Sequence, residues 1–350
     1  MRRLLCLGVA LSLASCGPPA AAVGPSATAQ AAAHPTETGP ASPRSSTNGA
    51  EEALLGPGAM TLQQEIGAVM MVGFTGPLTP GVLDDWRQHQ FGGLVVVSSN
   101  QNAQDPAAIR QLIQSVRGVM AHPLLTATNQ EGGTVCFPET RVPCLAGARQ
   151  VGAQGPAVVQ SEMSNMSQGL KALGFDINFA PVADVWDGVH PVMSERSYGQ
   201  SPQRVAQDVT AAIAGIHAAG IYAVAKRLSV QTPQTRDWIP FQAAIASHVE
   251  FVMMPSSSQL PALRTELGYQ GVIISDDLQM GALTPDFPPP SAAVRFLVNG
   301  GDMVMVSHDI AVADATYDAI HAAILSGMYP RAQLDTSVQK LLSLGLRYMP

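Results

Sequence analysis

The sequence predicts an α/β fold, a single (β/α)8 barrel, and three observations carry that expectation. Eight short apolar runs recur between residues 67 and 307, segments with apolar residues every three to four positions separate them, and the runs are continuously apolar rather than alternating. An unbroken apolar run suits a strand covered on both faces, and strict alternation of strand with helix implies parallel pairing. Eight such units over about 290 residues match the usual size of a (β/α)8 barrel. A doubly wound open sheet is the alternative. It would normally carry a glycine-rich nucleotide loop after its first strand, and Gly73-Phe-Thr-Gly76 is not one.

Two segments precede the barrel pattern. Residues 1–15 pair Arg2 and Arg3 with about ten apolar positions and end in small residues, the shape of an export signal and too short to span a bilayer. Leu13-Ala-Ser-Cys16 resembles the bacterial lipoprotein box, so Cys16 is the expected lipidation site; cleavage by the ordinary secretory peptidase is the alternative. Residues 16–58 are rich in Ala, Pro, Ser and Thr with no hydrophobic period. Such a stretch buries too little surface to offset its ordering entropy and reads as a flexible tether. The expected placement is therefore the outer face of the bacterial cytoplasmic membrane, held through the lipid, with the barrel in 59–350.

Composition narrows the partners. The chain is 46% hydrophobic and only 13% charged, against a usual charged share of about 25%, which implies a large buried core. Its net charge is −7, becoming −9 without residues 1–15, and no basic run occurs after residue 3, so nucleic acid is not an expected partner.

The folded part is expected to begin at Thr61, where Thr61-Leu-Gln-Gln64 reads as a helix N-cap. Strands are predicted over 67–74, 92–99, 124–131, 175–182, 222–228, 251–256, 271–277 and 302–307, with helices clearest over 105–120, 156–173, 202–218 and 310–325. A TIM-type barrel builds its site at the C-terminal strand ends. Those ends carry Asn129-Gln-Glu131, Asp184, Lys226-Arg227, Asp276-Asp277 and His308-Asp309, with Glu195-Arg196 in the loop after strand four. Alone, each reads as a cap or a solvated loop residue before it reads as functional; Asp276 and Asp277 could serve as nucleophile, metal ligand or N-cap. Together, cations and carboxylates on one rim describe a pocket for a hydroxyl-rich ligand, anionic or acetamido-bearing. Lys226 carries added weight because the chain has only three lysines and otherwise uses arginine.

Of four cysteines, Cys136 and Cys144 remain once Cys6 and Cys16 are assigned to the signal and the lipid. Eight apart in an exported chain, they are expected to form a local disulfide, either a simple loop staple or a brace for the pocket wall with Arg141 directed inward. No metal site is expected, since two cysteines without a second ligand pair lack zinc spacing. No cofactor is expected either.

Several segments, taken in order, resemble a known family. Asn129-Gln-Glu-Gly-Gly133, Ile177-Asn-Phe-Ala-Pro-Val-Ala-Asp184, Glu195-Arg-Ser-Tyr198 and Gly271-Val-Ile-Ile-Ser-Asp-Asp-Leu-Gln-Met280 look like the N-terminal barrel of family 3 glycoside hydrolases, in particular bacterial single-domain β-N-acetylglucosaminidases. The similarity covers residues 60–345 or so. It implies a retaining glycosidase with Asp276 as nucleophile and with Arg196 and Lys226 on the sugar; Arg227, Asn129, Glu131 and Asp184 are further expected substrate contacts. The chain also departs from the family. Asn129 stands where the family has an aspartate, Thr134 where it has an arginine, and Arg227 where it has a histidine. The family's acid/base is an Asp-x-His dyad in the loop after strand five; counted without gaps, its aspartate falls on Asp237 and its histidine on Ile239. Isoleucine transfers no proton, and loss of general-acid help costs about 10²- to 10⁴-fold in rate.

Two functions of different class are therefore expected alternatives. One is a cell-surface glycosidase acting on β-linked N-acetylglucosamine of peptidoglycan or related glycans, with weakened or altered acid/base catalysis. The other is a catalytically silent sugar-binding protein of the same fold. A lipid-tethered solute receptor is a third, and the Ser-Asp-Asp motif counts against it.

Overall fold

The computed structural model describes residues 59–227, 235–280 and 288–346. The expected signal segment, Cys16 and the tether lie outside the described residues, as does the 228–234 part of the loop after strand five.

Thr61 starts the fold as expected. Its hydroxyl accepts from Gln64 N while the Gln64 side chain returns a bond to Thr61 N, a reciprocal cap on the helix Leu62–Ala68. Eight parallel strands follow: β1 Met70–Val72, β2 Gly93–Val95, β3 Leu125–Thr128, β4 Ile177–Asn178, β5 Tyr222–Ala225, β6 Phe251–Met254, β7 Val272–Asp277 and β8 Met303–Val306. Each pairs with its neighbour in sequence, and β1 pairs with β8 through Met71 and Met305, closing the barrel. Every strand residue is buried, as the unbroken apolar runs require.

The helices match the predicted spacing closely. Pro156–Leu173, Pro202–Ala218 and Ile310–Leu325 run over the expected residues, and Pro106–Arg117 is capped by Asp105, whose carboxylate accepts from Ala107 N and Ala108 N at 2.9 Å. Strands are shorter than predicted. Residues 179–183 continue β4 in sequence and are just as buried; they lie outside the regular strand yet still bridge the end of β5 through Val182 and Lys226. Apolar continuity reports burial, and a buried rim loop reads like a strand.

Two features position the site. The first locks the N-terminal ends of β7 and β8: buried Asp302 accepts from Ile273 N at 2.8 Å, Ser337 Oγ at 3.1 Å and Lys340 Nζ at 2.9 Å, and contacts the Arg264 guanidinium. The second lies at their other ends. Ile274 pairs with Met303 but Asp277 with Met305, so three steps on β7 oppose two on β8, a bulge spanning Ser275 and Asp276. Ser275 Oγ accepts from Met305 N at 2.8 Å inside it. A regular strand sends adjacent side chains to opposite faces; a bulge can re-aim one of them.

Candidate active site

The bulge brings Asp276 and Asp277 to one cavity. This cavity, of about 340 Å³, opens at the C-terminal strand ends and is walled by Asn129, Arg196, Lys226, Arg227, Asp276, Asp277 and His308. The sequence-derived rim is thus largely one site.

One wall is an ionic cradle built on Glu131. Gly132 and Gly133 take φ of +100° and +58°, which side chains disfavour, and fold the chain into a tight turn bridged from Gly132 to Val135. That turn leaves Glu131 buried behind the wall and returns Thr134, Val135 and Cys136 to line it. Arg196 meets both Glu131 oxygens, Nε and a terminal nitrogen each at 2.7 Å. Lys226, only 2% exposed, lies 2.5 Å from Glu131 Oε1 and donates to Asn129 Oδ1 at 2.8 Å. Burial pushes the Glu131 carboxyl up, but the two cations outweigh it and hold it below its ordinary value. Burial likewise dominates at Lys226 and draws its ammonium below the ordinary lysine value despite Glu131. One carboxylate facing two cations leaves a positive surplus toward bound oxygen atoms.

The opposite wall carries the acids. Asp276 is 5% exposed; its Oδ1 accepts from Asp277 N at 3.0 Å and its Oδ2 contacts the Arg227 guanidinium. Asp277 Oδ1 accepts from Gln279 N and Ser307 N, and its Oδ2 lies 3.2 Å from His308 Nε2. Asp277 therefore holds the turn that follows β7 and partners His308; the next described helix, Pro289–Val298, has Pro288 as its N-cap.

Glu131, Asp184 and Asp237 are absent from the cavity wall among the described residues. Glu131 stands behind Arg196 and Lys226, which do line the cavity. Asp184 is half-buried behind Arg227, whose backbone N–H it accepts at 3.3 Å. Burial pushes its carboxyl up to about 7, Asp237 adding to the rise and Arg227 and Arg196 opposing it. Asp237 and Ile239 lie in the first turns of the helix Thr235–Ala246. Asp309, at the same rim, caps the helix Ile310–Leu325 by accepting from Ala311 N at 2.9 Å.

Cys136 and Cys144 form the expected disulfide, with Cα atoms 5.9 Å apart. Gln130 ties it down by accepting from Phe137 N at 2.7 Å, and Cys136 and Phe137 both line the cavity, so the staple also braces the wall. Arg141 does not turn inward. It is exposed, because it ends the short Pro138–Thr140 helix in a left-handed turn with φ of 55° that directs it away from the core.

Asn100 was not singled out by the sequence. It is buried, three residues beyond the apolar run of β2 at the end of the short turn Ser98–Asn100, and its Oδ1 meets His308 Nδ1 at 2.5 Å. A polar residue at that point of the chain is the signal that could have found it. Among the described residues no group of three His, Cys, Asp or Glu side chains is arranged to hold a metal ion.

The model of the glycosyl hydrolase family 3 N-terminal domain matches residues 61–344. The chain belongs to this family. It is 31% identical over 258 residues to a β-hexosaminidase of Alkalilimnicola ehrlichii, covering 62% of this chain and 74% of the relative. It is 27% identical over 312 residues to a β-hexosaminidase of Stenotrophomonas maltophilia, covering 76% and 92%. Its barrel superposes on the family 3 β-N-acetylglucosaminidase of a Paenibacillus species with a TM-score of 0.76 at 29% identity, over 83% of this chain and 63% of that one.

Proposed function

We propose that this protein is a retaining β-N-acetylglucosaminidase acting on peptidoglycan or related glycans, with an altered acid/base. The observation that carries the proposal is Asp276, turned by the β7 bulge into a cavity whose facing wall is the Arg196–Glu131–Lys226 cradle. Family membership and the β-hexosaminidase relatives support the same reading. In this account Arg196 and Lys226 hold the sugar's oxygen atoms through donors whose direction Glu131 sets, with Asn129 beside them. Asp276 attacks the anomeric carbon as the bond to the leaving oxygen breaks, and water later displaces it from the glycosyl-enzyme. Arg227 exchanges its contact with Asp276 for one with substrate as the sugar arrives.

The test is hydrolysis of an aryl β-N-acetylglucosaminide, with the anomer of the first-formed sugar read by NMR. Retention in the wild type and loss in Asp276→Asn support the proposal; an inverted product contradicts it.

A silent sugar-binding protein is the second reading. Two observations favour it: the Arg227 guanidinium occupies Asp276, and no histidine occurs in 227–247. Binding of N-acetylglucosamine with no turnover of the aryl substrate would select it.

Attachment to the membrane through lipid on Cys16 completes the proposal. Some forty tether residues would let the barrel reach glycan beyond the membrane. Cys16→Ala should release the protein to the soluble fraction; unchanged membrane association would rule the anchor out.

A further inference from the structure

We propose, resting on the glycosidase reading above, that His308 is the catalytic acid/base, held for that role by Asn100 and Asp277. Relative to the family's dyad, the proton donor would have moved from the loop after β5 to the end of β8.

The proposal stands on the orientation of one ring. Asn100 Nδ2 donates to Ser307 O at 2.7 Å, which fixes the amide and leaves its Oδ1 facing His308 Nδ1 at 2.5 Å. An amide oxygen only accepts, so Nδ1 keeps its hydrogen and Nε2 is the nitrogen that gains and loses a proton. Asp277 Oδ2 stands 3.2 Å from Nε2 and helps hold the ring in place. Asp277 is itself steadied through its other oxygen by Gln279 N and Ser307 N. The His308 backbone is pinned as well: its N–H donates to Gln279 Oε1 at 2.7 Å and its carbonyl accepts from Thr75 Oγ1 at 3.0 Å. The ring nevertheless stays on the cavity wall, about 38% exposed, where a leaving-group oxygen can meet it.

Elimination on that wall agrees. His308 is the only histidine lining the cavity among the described residues. Arg196 and Arg227 hold their protons, Lys226 is taken up by Glu131 and Asn129, Asp277 is taken up by Gln279 N, Ser307 N and His308, and Asp276 is the nucleophile. Asp184 and Asp237 stand off the wall.

The proton balance closes over the two steps. In the first, Asp276 bonds to the anomeric carbon, the electron pair of the glycosidic bond goes to the leaving oxygen, and that oxygen takes the Nε2 proton, leaving neutral imidazole. In the second, Nε2 takes a proton from water as the water oxygen bonds to the anomeric carbon and Asp276 leaves as carboxylate. Nδ1 keeps its hydrogen on Asn100 throughout.

The experiment compares wild type, His308→Ala and His308→Gln on a 2,4-dinitrophenyl β-N-acetylglucosaminide and on a β-linked N-acetylglucosamine disaccharide. Loss of an acid should cut kcat/KM on the disaccharide by about 10²- to 10⁴-fold in both variants. The dinitrophenyl substrate leaves without a proton, so its first step should change by less than tenfold and show a burst of dinitrophenol. Azide, a nucleophile needing no base, should then speed His308→Ala and yield β-glycosyl azide. Equal losses on both substrates with no azide product, or no loss on either, would overturn the assignment. Wild type that turns over neither substrate would instead overturn the glycosidase reading itself. Circular dichroism and melting of His308→Gln, which retains an N–H donor near Asn100, separate these outcomes from misfolding.

Discussion

Replacing Glu131 with glutamine tests whether Arg196 and Lys226 are held by one buried carboxylate. Arg196 makes two bonds of 2.7 Å to it, and Lys226 lies 2.5 Å from one of its oxygens. Glutamine keeps the shape but removes the charge and turns an amide NH2 toward one of the cations. Breaking a buried ion pair by removing one partner costs about 3–5 kcal/mol. At about 2–4 °C per kcal/mol for a domain of this class, melting should fall by roughly 10 °C. Because Arg196 and Lys226 line the cavity, affinity for N-acetylglucosamine should drop at least about tenfold, or about 1.4 kcal/mol. The pH dependence has a definite sign. Burial raises the Glu131 carboxyl, but Lys226 and Arg196 prevail and hold it below the ordinary 4.5. Its stabilisation is therefore fully present above 4.5 and is lost as pH falls through the lower folded value, so wild type and variant should converge in acid. Differential scanning calorimetry and ligand titration read both effects. A Glu131→Gln protein that melts and binds like wild type at neutral pH would refute the cradle.

Asp184 should behave in the opposite sense: its carboxyl, at about 7 instead of 3.8, keeps its proton in the folded state after the unfolded chain has lost it. Stability should thus fall as pH rises from about 4 to 7, by at most about 4 kcal/mol, and Asp184→Asn should flatten that slope in urea unfolding measured across the range. Reducing Cys136–Cys144, eight apart, should cost about 2–3 kcal/mol and weaken sugar binding through the loosened wall, read by melting and titration with and without reductant. Asp302→Ala removes the group that ties Arg264, Lys340 and Ser337 to β7 and should lower stability by about 3–5 kcal/mol while leaving KM near the wild-type value, since Asp302 lies at the far end of the strands.

The barrel was legible because its signals are local. Continuous apolar runs and three-to-four-residue spacing state burial and period directly, and three helices ended where the spacing ended. Strand ends were less legible, since 179–183, past the end of the regular strand, are as buried as the residues within it. At the site, the rim rule named Asn129, Arg196, Lys226, Arg227, Asp276 and His308, and all six line one cavity. It could not separate wall from support: Glu131 sits behind the cations Arg196 and Lys226, and Asp184 sits behind the Arg227 backbone, whose N–H it accepts. Nor could it foresee Asn100, whose partner is 208 residues away, or the bulge, which depends on register between two strands. The Arg141 expectation failed on a left-handed backbone turn that spacing does not report.

The central claim is that Asp276 is the nucleophile, and the measurement that meets it directly is trapping of the glycosyl-enzyme. Wild-type protein incubated with a 5-fluoro N-acetylglucosaminyl fluoride, digested and mapped by mass spectrometry, should carry one sugar on the Asp276 carboxylate. Asp276→Asn should carry none. An adduct on another residue, or turnover of the probe with no adduct even on rapid quench, would contradict the account.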